Sequence, residues 1–266
     1  MARPNAKRAP RHPPVPREHG AWGILCGAFL SVAARTGTLT PAMLLFLAGM
    51  ASLYSSRHAL LLGLGKRPGP RAAIWVAVFA LIGLACLCGT AALVRFWFLL
   101  PSCLIFVPFL IAELLLFRAH RQQSILAQII GTTGLTLMAP LTYIVQARGW
   151  VPDALRLWLV NAGFFLGLIV FVRFQIARMS ARADNRRARN SYFGALLAYN
   201  AVLVVALSLV SALSRRYAPL CVVFLPSILQ SLAALAGAPA VGTVRRLGWL
   251  QVAHTVLFVV LLGVFR

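Results

Sequence analysis

Residues 154–176 read ALRLWLVNAGFFLGLIVFVRFQI, and this stretch decides the fold. Its strongly polar side chains are Arg156, Asn161, Arg173 and Gln175, and both arginines lie near the ends. As a helix it is about 35 Å long, enough to cross a hydrocarbon core of about 30 Å. In lipid every backbone N–H and C=O must be paired within the segment, so helix is the conformation open to an isolated run of this kind. Comparable runs recur at 17–34, 40–56, 72–94, 97–117, 124–146, 191–213, 217–236 and 247–265, giving nine predicted spans. The expectation is an all-α integral membrane protein, a nine-helix transmembrane bundle.

Composition agrees. The chain is 61% hydrophobic and 11% charged, whereas about a quarter of a soluble domain is charged. Short alternating segments of the β-barrel kind are not visible. A net charge of +22 resembles a nucleic-acid footprint, but the basic residues gather in every second gap between the apolar runs. Nineteen fall on one side, in the N-terminal tail and the gaps after the second, fourth, sixth and eighth spans, against seven on the other. Arginine-rich gaps stay on the cytoplasmic side, so the N-terminus is expected inside and the C-terminus outside, with anionic membrane lipid as the partner of the basic side and no nucleic acid.

Residues 1–16 are basic and proline-rich without apolar periodicity, which predicts a disordered cytoplasmic tail ahead of a single transmembrane helical domain over 17–266. A cleaved signal peptide ending near Ser31-Val32-Ala33 explains the charge layout less well. Thr40 before Pro41, and Asp153 before Ala154, look like helix starts. Pro101, Pro108, Pro140 and Pro226 fall inside spans, where neighbouring helices can satisfy freed carbonyls. The six tryptophans lie near span ends, as an interfacial belt requires. The five cysteines sit within apolar runs and read as small apolar filler, with no metal site or disulfide framework.

Three polar constellations stand out. Arg17-Glu18-His19-Gly20-Ala21-Trp22 opens the first span, where a helix N-terminus beside basic groups can hold an anion. Tyr54, Arg57 and His58 close the second span on one helix face. Arg173, Gln175 and Arg178 close the sixth, leading to Arg182 and Asp184. Glu113, alone late in the fourth span, is either functional or an ion-pair partner for Arg57 or Arg173. Asn161, Asn200, Gln230 and His254 are expected to bond between helices.

The opening motif, with its His-Gly-Ala-Trp run, resembles the YwiC-like family of bacterial multi-pass membrane proteins. So does the stretch from Phe171 through Asn185 and Arg186 to Tyr199-Asn200. That resemblance implies a protein of the bacterial cytoplasmic (inner) membrane and no particular reaction. More distantly, nine helices with long basic gaps after the second and sixth look like the UbiA-type intramembrane prenyltransferases, as does the stretch from Phe117 through Ile144. Those enzymes hold magnesium and a prenyl diphosphate with aspartate clusters in these gaps, because magnesium demands hard oxygen ligands. Here the first position reads Tyr54-Ser55-Ser56-Arg57-His58, and the second offers Asp184 among arginines. Four acidic residues in the whole chain cannot supply two aspartate clusters.

The expected function is therefore a UbiA-like bundle that binds an isoprenoid, quinone or other anionic amphiphile without magnesium-diphosphate catalysis, a cofactor or a metal. Arg17, Glu18, His19, Tyr54, Arg57, His58, Glu113, Arg173, Gln175 and Arg178 are its candidate binding residues. The alternatives are a lipid transferase using Glu113 or Glu18 as base, and a transporter or assembly factor for a membrane complex.

Overall fold

The computed structural model describes residues 19–64, 72–179 and 185–265. The described residues are helical apart from short connections, and no strand occurs among them. The helices are α1 (His19–Thr36), α2 (Pro41–Gly63), α3 (Ala72–Val94), α4 (Leu99–Ser102), α5 (Val107–Arg118), α6 (Ile125–Thr136), α7 (Met138–Ala147), α8 (Pro152–Met179), α9 (Asn185–Leu213), α10 (Pro219–Leu235) and α11 (Val244–Val264). With α4 and α5 counted as one pass, and α6 and α7 as another, these form nine helical segments at the nine predicted places. Six of the segments are both long and apolar enough to cross a membrane, while α1 and α10 are shorter. The protein is a multi-pass membrane protein; the expectation of nine crossings is met for six.

Two predicted spans are broken, and proline accounts for both breaks. Pro140 lacks the N–H that would bond to Thr136, and its ring crowds that carbonyl; the helix changes at Leu137, between α6 and α7. In the fourth span a 3-10 stretch, Cys103–Phe106, separates α4 from α5, with Pro108 in the first turn of α5. Pro226, by contrast, sits inside a continuous α10.

Helix ends also moved. Thr40 caps α2 as predicted, its hydroxyl accepting from the Met43 N–H at 3.3 Å. Asp153 is not a cap: α8 begins at Pro152, and Asp153 lies in its first turn, paired with Arg156 at 2.6 Å. α2 runs to Gly63 rather than ending at 56, so Arg57 and His58 sit within a helix. α8 and α9 extend toward each other, shrinking the expected long gap after the sixth span to residues 180–184. The expected tail, with Arg17 and Glu18, lies outside the described residues, as do Arg182 and Asp184.

The main core joins α1, α2, α7, α8, α10 and α11. Phe29, Phe46, Met43, Ile144 and Phe164 are fully buried there, and Phe164 stacks on Phe258 at 3.9 Å. Lipid tails are as apolar as these side chains, so close packing rather than water exclusion holds the helices. Small residues make that packing tight. A Cβ on Gly27 would lie 2.7 Å from Phe165 of α8 and 2.8 Å from Thr255 of α11. Along the α2–α3 pair, Ser52 and Ser56 donate to the carbonyls of Phe79 and Val76 at 2.7 and 3.0 Å. The five cysteines are free, as small filler requires.

Candidate functional site at the basic end

One end of the bundle gathers the start of α1, the ends of α2, α5, α8 and α10, and the starts of α6 and α9. Cross-helix contacts establish this directly. Arg57 of α2 is paired through its Nε with Glu113 of α5, and both side chains are largely buried. The guanidinium also lies 5.3 Å from the Tyr54 ring centre, and that ring meets Trp22 of α1 edge-on at 5.5 Å. Glu113 in turn presses on α6: a Cβ on Gly131 would stand 2.9 Å from its Oε1. A larger residue at 131 would push the carboxylate aside. His58, next to Arg57, is half-buried, and His19 opens α1.

Arg173 ties the next helices together. Its Nε donates to Gln128 of α6 at 2.8 Å, and one terminal nitrogen donates to the Gln123 carbonyl at 2.6 Å. The other reaches the Tyr192 hydroxyl of α9 at 3.4 Å. Arg178, one turn on, donates to the carbonyls of Ala234 and Ala238 at the end of α10, where the helix dipole favours a cation, and stacks over Phe174. Gln175 is buried, as a bundle-facing position requires, and its Oε1 has no partner among the described residues.

A cavity of about 210 Å³ opens beside Arg178, between α8, α9 and α10. Arg189 and Asn190 of α9 add polar groups to it, over an apolar floor of Phe174, Phe193, Ala234 and Leu235. The sequence reading missed Arg189, Asn190 and Phe193. Their signal was available: Arg189 and Phe193 are four apart, one helix face carrying a cation beside an aromatic ring. Gln128 was missed because a single Gln in an apolar run carries no mark of its partner.

The predicted binding residues thus fall into two adjoining groups. Tyr54, Arg57 and Glu113 form one, Arg173 bridges α6, α8 and α9, and Arg178 borders the cavity. Among the described residues no three of His, Cys, Asp and Glu come together as a metal site. Of the other polar points, Asn161 bonds between helices, donating to Ser31 at 2.9 Å. His254 and Asn200 instead bond carbonyls of their own helices, Leu250 and Leu196.

A cavity of about 110 Å³ lies toward the opposite end, lined by side chains including Ile105, Leu137, Pro140, Leu141, Trp150 and Trp158. Its walls are apolar, with no charged group.

No curated protein and no solved structure matches the chain. The model of one family, described as YwiC-like protein, matches residues 15–143, just under half of the chain. That stretch holds the His-Gly-Ala-Trp run, the Arg57–Glu113 pair and Gln128, and it ends before α8. The second resembling stretch, from Phe171 onward, lies beyond it. Across residues 15–143 the chain is similar to the YwiC-like protein family.

Proposed function

We propose that this protein binds an anionic amphiphile, an isoprenoid or quinone-type lipid bearing phosphate or carboxylate, with its head group in the cavity at the basic end. The observation that carries this reading is the pairing of Arg178 and Arg189 with Asn190 above an aromatic and aliphatic floor. At about 210 Å³ the space suits a head group and its first carbons; whole drug-sized ligands need roughly 300–1,000 Å³. Two arginines can pair with phosphate or carboxylate oxygens directly, without a metal.

The other candidate residues take supporting parts. Arg173 holds α8, a wall of the cavity, to α6 and α9, and Arg57 with Glu113 ties α2 to α5 at the same end. Tyr54 and His58 of α2 stand at the same end of the bundle, Gln175 stands one turn before Arg178 on α8, and Arg17, Glu18 and His19 enter the proposal on their sequence motif alone. Magnesium-diphosphate transfer is not part of the reading, because the acidic residues it needs are missing from the sequence. The basic end is assigned to the cytoplasmic face of a bacterial inner membrane, in a UbiA-like nine-pass bundle. The arginine bias and the order of the nine helical segments support that assignment.

Titration of protein in zwitterionic nanodiscs with a fluorescent polyprenyl phosphate tests the reading. Arg189→Ala should weaken binding about tenfold, as expected for loss of one charge-assisted bond, with unfolding unchanged because Arg189 is exposed. Equal affinity of wild type and Arg189→Ala, or of the phosphate and the parent alcohol, would overturn it.

A further inference from the structure

A second, smaller cluster of buried apolar side chains joins Phe171 and Phe174 of α8, Leu196 of α9, Ala234 of α10 and Leu247 of α11. On each of these helices an amide side chain stands four residues from its cluster member: Gln175, Asn200, Gln230 and Gln251. Residues four apart share a helix face, so all four amides point along the faces that meet in the cluster. Helix direction then sorts them. α9 and α11 lead away from the basic end and α10 leads toward it, so Asn200, Gln230 and Gln251 lie one turn deeper than the cluster. Gln175 lies one turn nearer the basic end.

Cross-helix contacts fix the depth of that deeper layer. Tyr199, beside Asn200, donates to the Gly163 carbonyl. Phe224 and Phe258 pack on Phe164 with ring centres 6.5 and 3.9 Å away. These residues of α8 are at the middle of a helix running from Pro152 to Met179. Gln230 and Gln251 lie six and seven residues from Phe224 and Phe258 on the side of the basic end, so the layer sits within the longest apolar pass, between its middle and its basic end. Asn200 is 4% exposed, and its Nδ2 is used by the Leu196 carbonyl. Its Oδ1, the Nε2 of Gln230 and both amide atoms of Gln251 are buried without a partner among the described residues.

Four unmatched amide atoms at one depth, from three helices, are a costly arrangement in a bilayer interior. They include donors and acceptors but no charge. His254, three residues beyond Gln251, is the nearest titratable side chain on α11, and its Nδ1 lies 2.9 Å from the Leu250 carbonyl. Arg178 stands one turn nearer the basic end, its guanidinium engaged by the Ala234 and Ala238 carbonyls, so a group that both donates and accepts matches the layer better than a phosphate or carboxylate. We infer that α8 to α11 enclose an intramembrane site, formed by Asn200, Gln230 and Gln251, for a neutral oxygen group: a bound water or the hydroxyl or carbonyl of an amphiphile. The inference does not depend on the charged cavity and would survive its failure.

X-ray radiolytic footprinting of the full chain in phosphatidylcholine nanodiscs tests this, because water bound inside a bundle oxidises the side chains beside it. Bound water should label Tyr199 or Leu203 in protein as purified. An amphiphile should block that label until co-purified lipid is removed. No label in either state overturns the inference. Thermal unfolding of Asn200→Leu and Gln251→Leu gives a second readout. An occupied site loses its ligand contacts, and the unfolding temperature drops. In a dry layer leucine removes the unmatched atoms, so a rise in both variants would also overturn it.

Discussion

Cavities near the two ends of the bundle share α8 as one wall, yet they are built for different neighbours. Near the basic end Arg57, Arg173 and Arg178 turn inward and each ties helices together, and Arg189 joins Arg178 around a polar opening. Toward the opposite end the walls are Trp150, Trp158, Pro140 and aliphatic side chains. The polar contacts there are exposed and peripheral: Arg35 to the Phe265 carbonyl, Gln146 to Thr38, and Arg156 to Asp153. An arginine therefore does different work at the two ends. At one it is a part-buried tie and a candidate anion clamp, and at the other its contacts are made at the exposed surface.

The largest expected difference between the ends is in stability. Arg173→Leu removes bonds to Gln128, Gln123 and Tyr192 and leaves their oxygens to find new partners. It should cost about 3 kcal/mol, since bonds to charged groups contribute about 1.5–3 kcal/mol each. Arg156→Leu, in an exposed pair at the other end, should stay within about 0.5 kcal/mol of wild type. Thermal unfolding in one detergent compares them, and equal losses would erase the distinction drawn between the ends.

A smaller effect is expected at the α2–α5 contact. Glu113→Leu removes the carboxylate paired with a largely buried guanidinium and should cost about 2 kcal/mol. The double variant Arg57→Met with Glu113→Leu should cost less than the two single losses combined, with a coupling of about 1 kcal/mol. Strict additivity would mean that the pair is not the tie that holds α5, a helix on which no residue is fully buried.

The sequence read well where one segment carries its own signal. Apolar length located all nine segments, Thr40-Pro41 located a helix start, and the spacing of Tyr54 and Arg57 put them on one helix face. Charge scarcity narrowed the partner of Glu113 to two arginines, and packing chose Arg57. What did not read well depends on neighbours. Pro140 breaks its pass while Pro226 does not, and nothing local distinguishes them. The stop assigned to α2 at 56 failed because Arg57 and His58 resemble a helix end, although Ala59–Gly63 continue it. The cavity was half legible: Arg178 was named, but Arg189, Asn190 and Phe193 come from a helix whose start the sequence placed six residues too late.

Photocrosslinking with a polyprenyl phosphate carrying a diazirine next to the phosphate tests the central claim most directly. Adducts on the cavity segments of α9 and α10, at 189–193 and 234–237, are expected, with loss in Arg178→Ala/Arg189→Ala. Adducts concentrated on Ile105, Trp150 and Trp158, unaffected by that variant, would contradict the account.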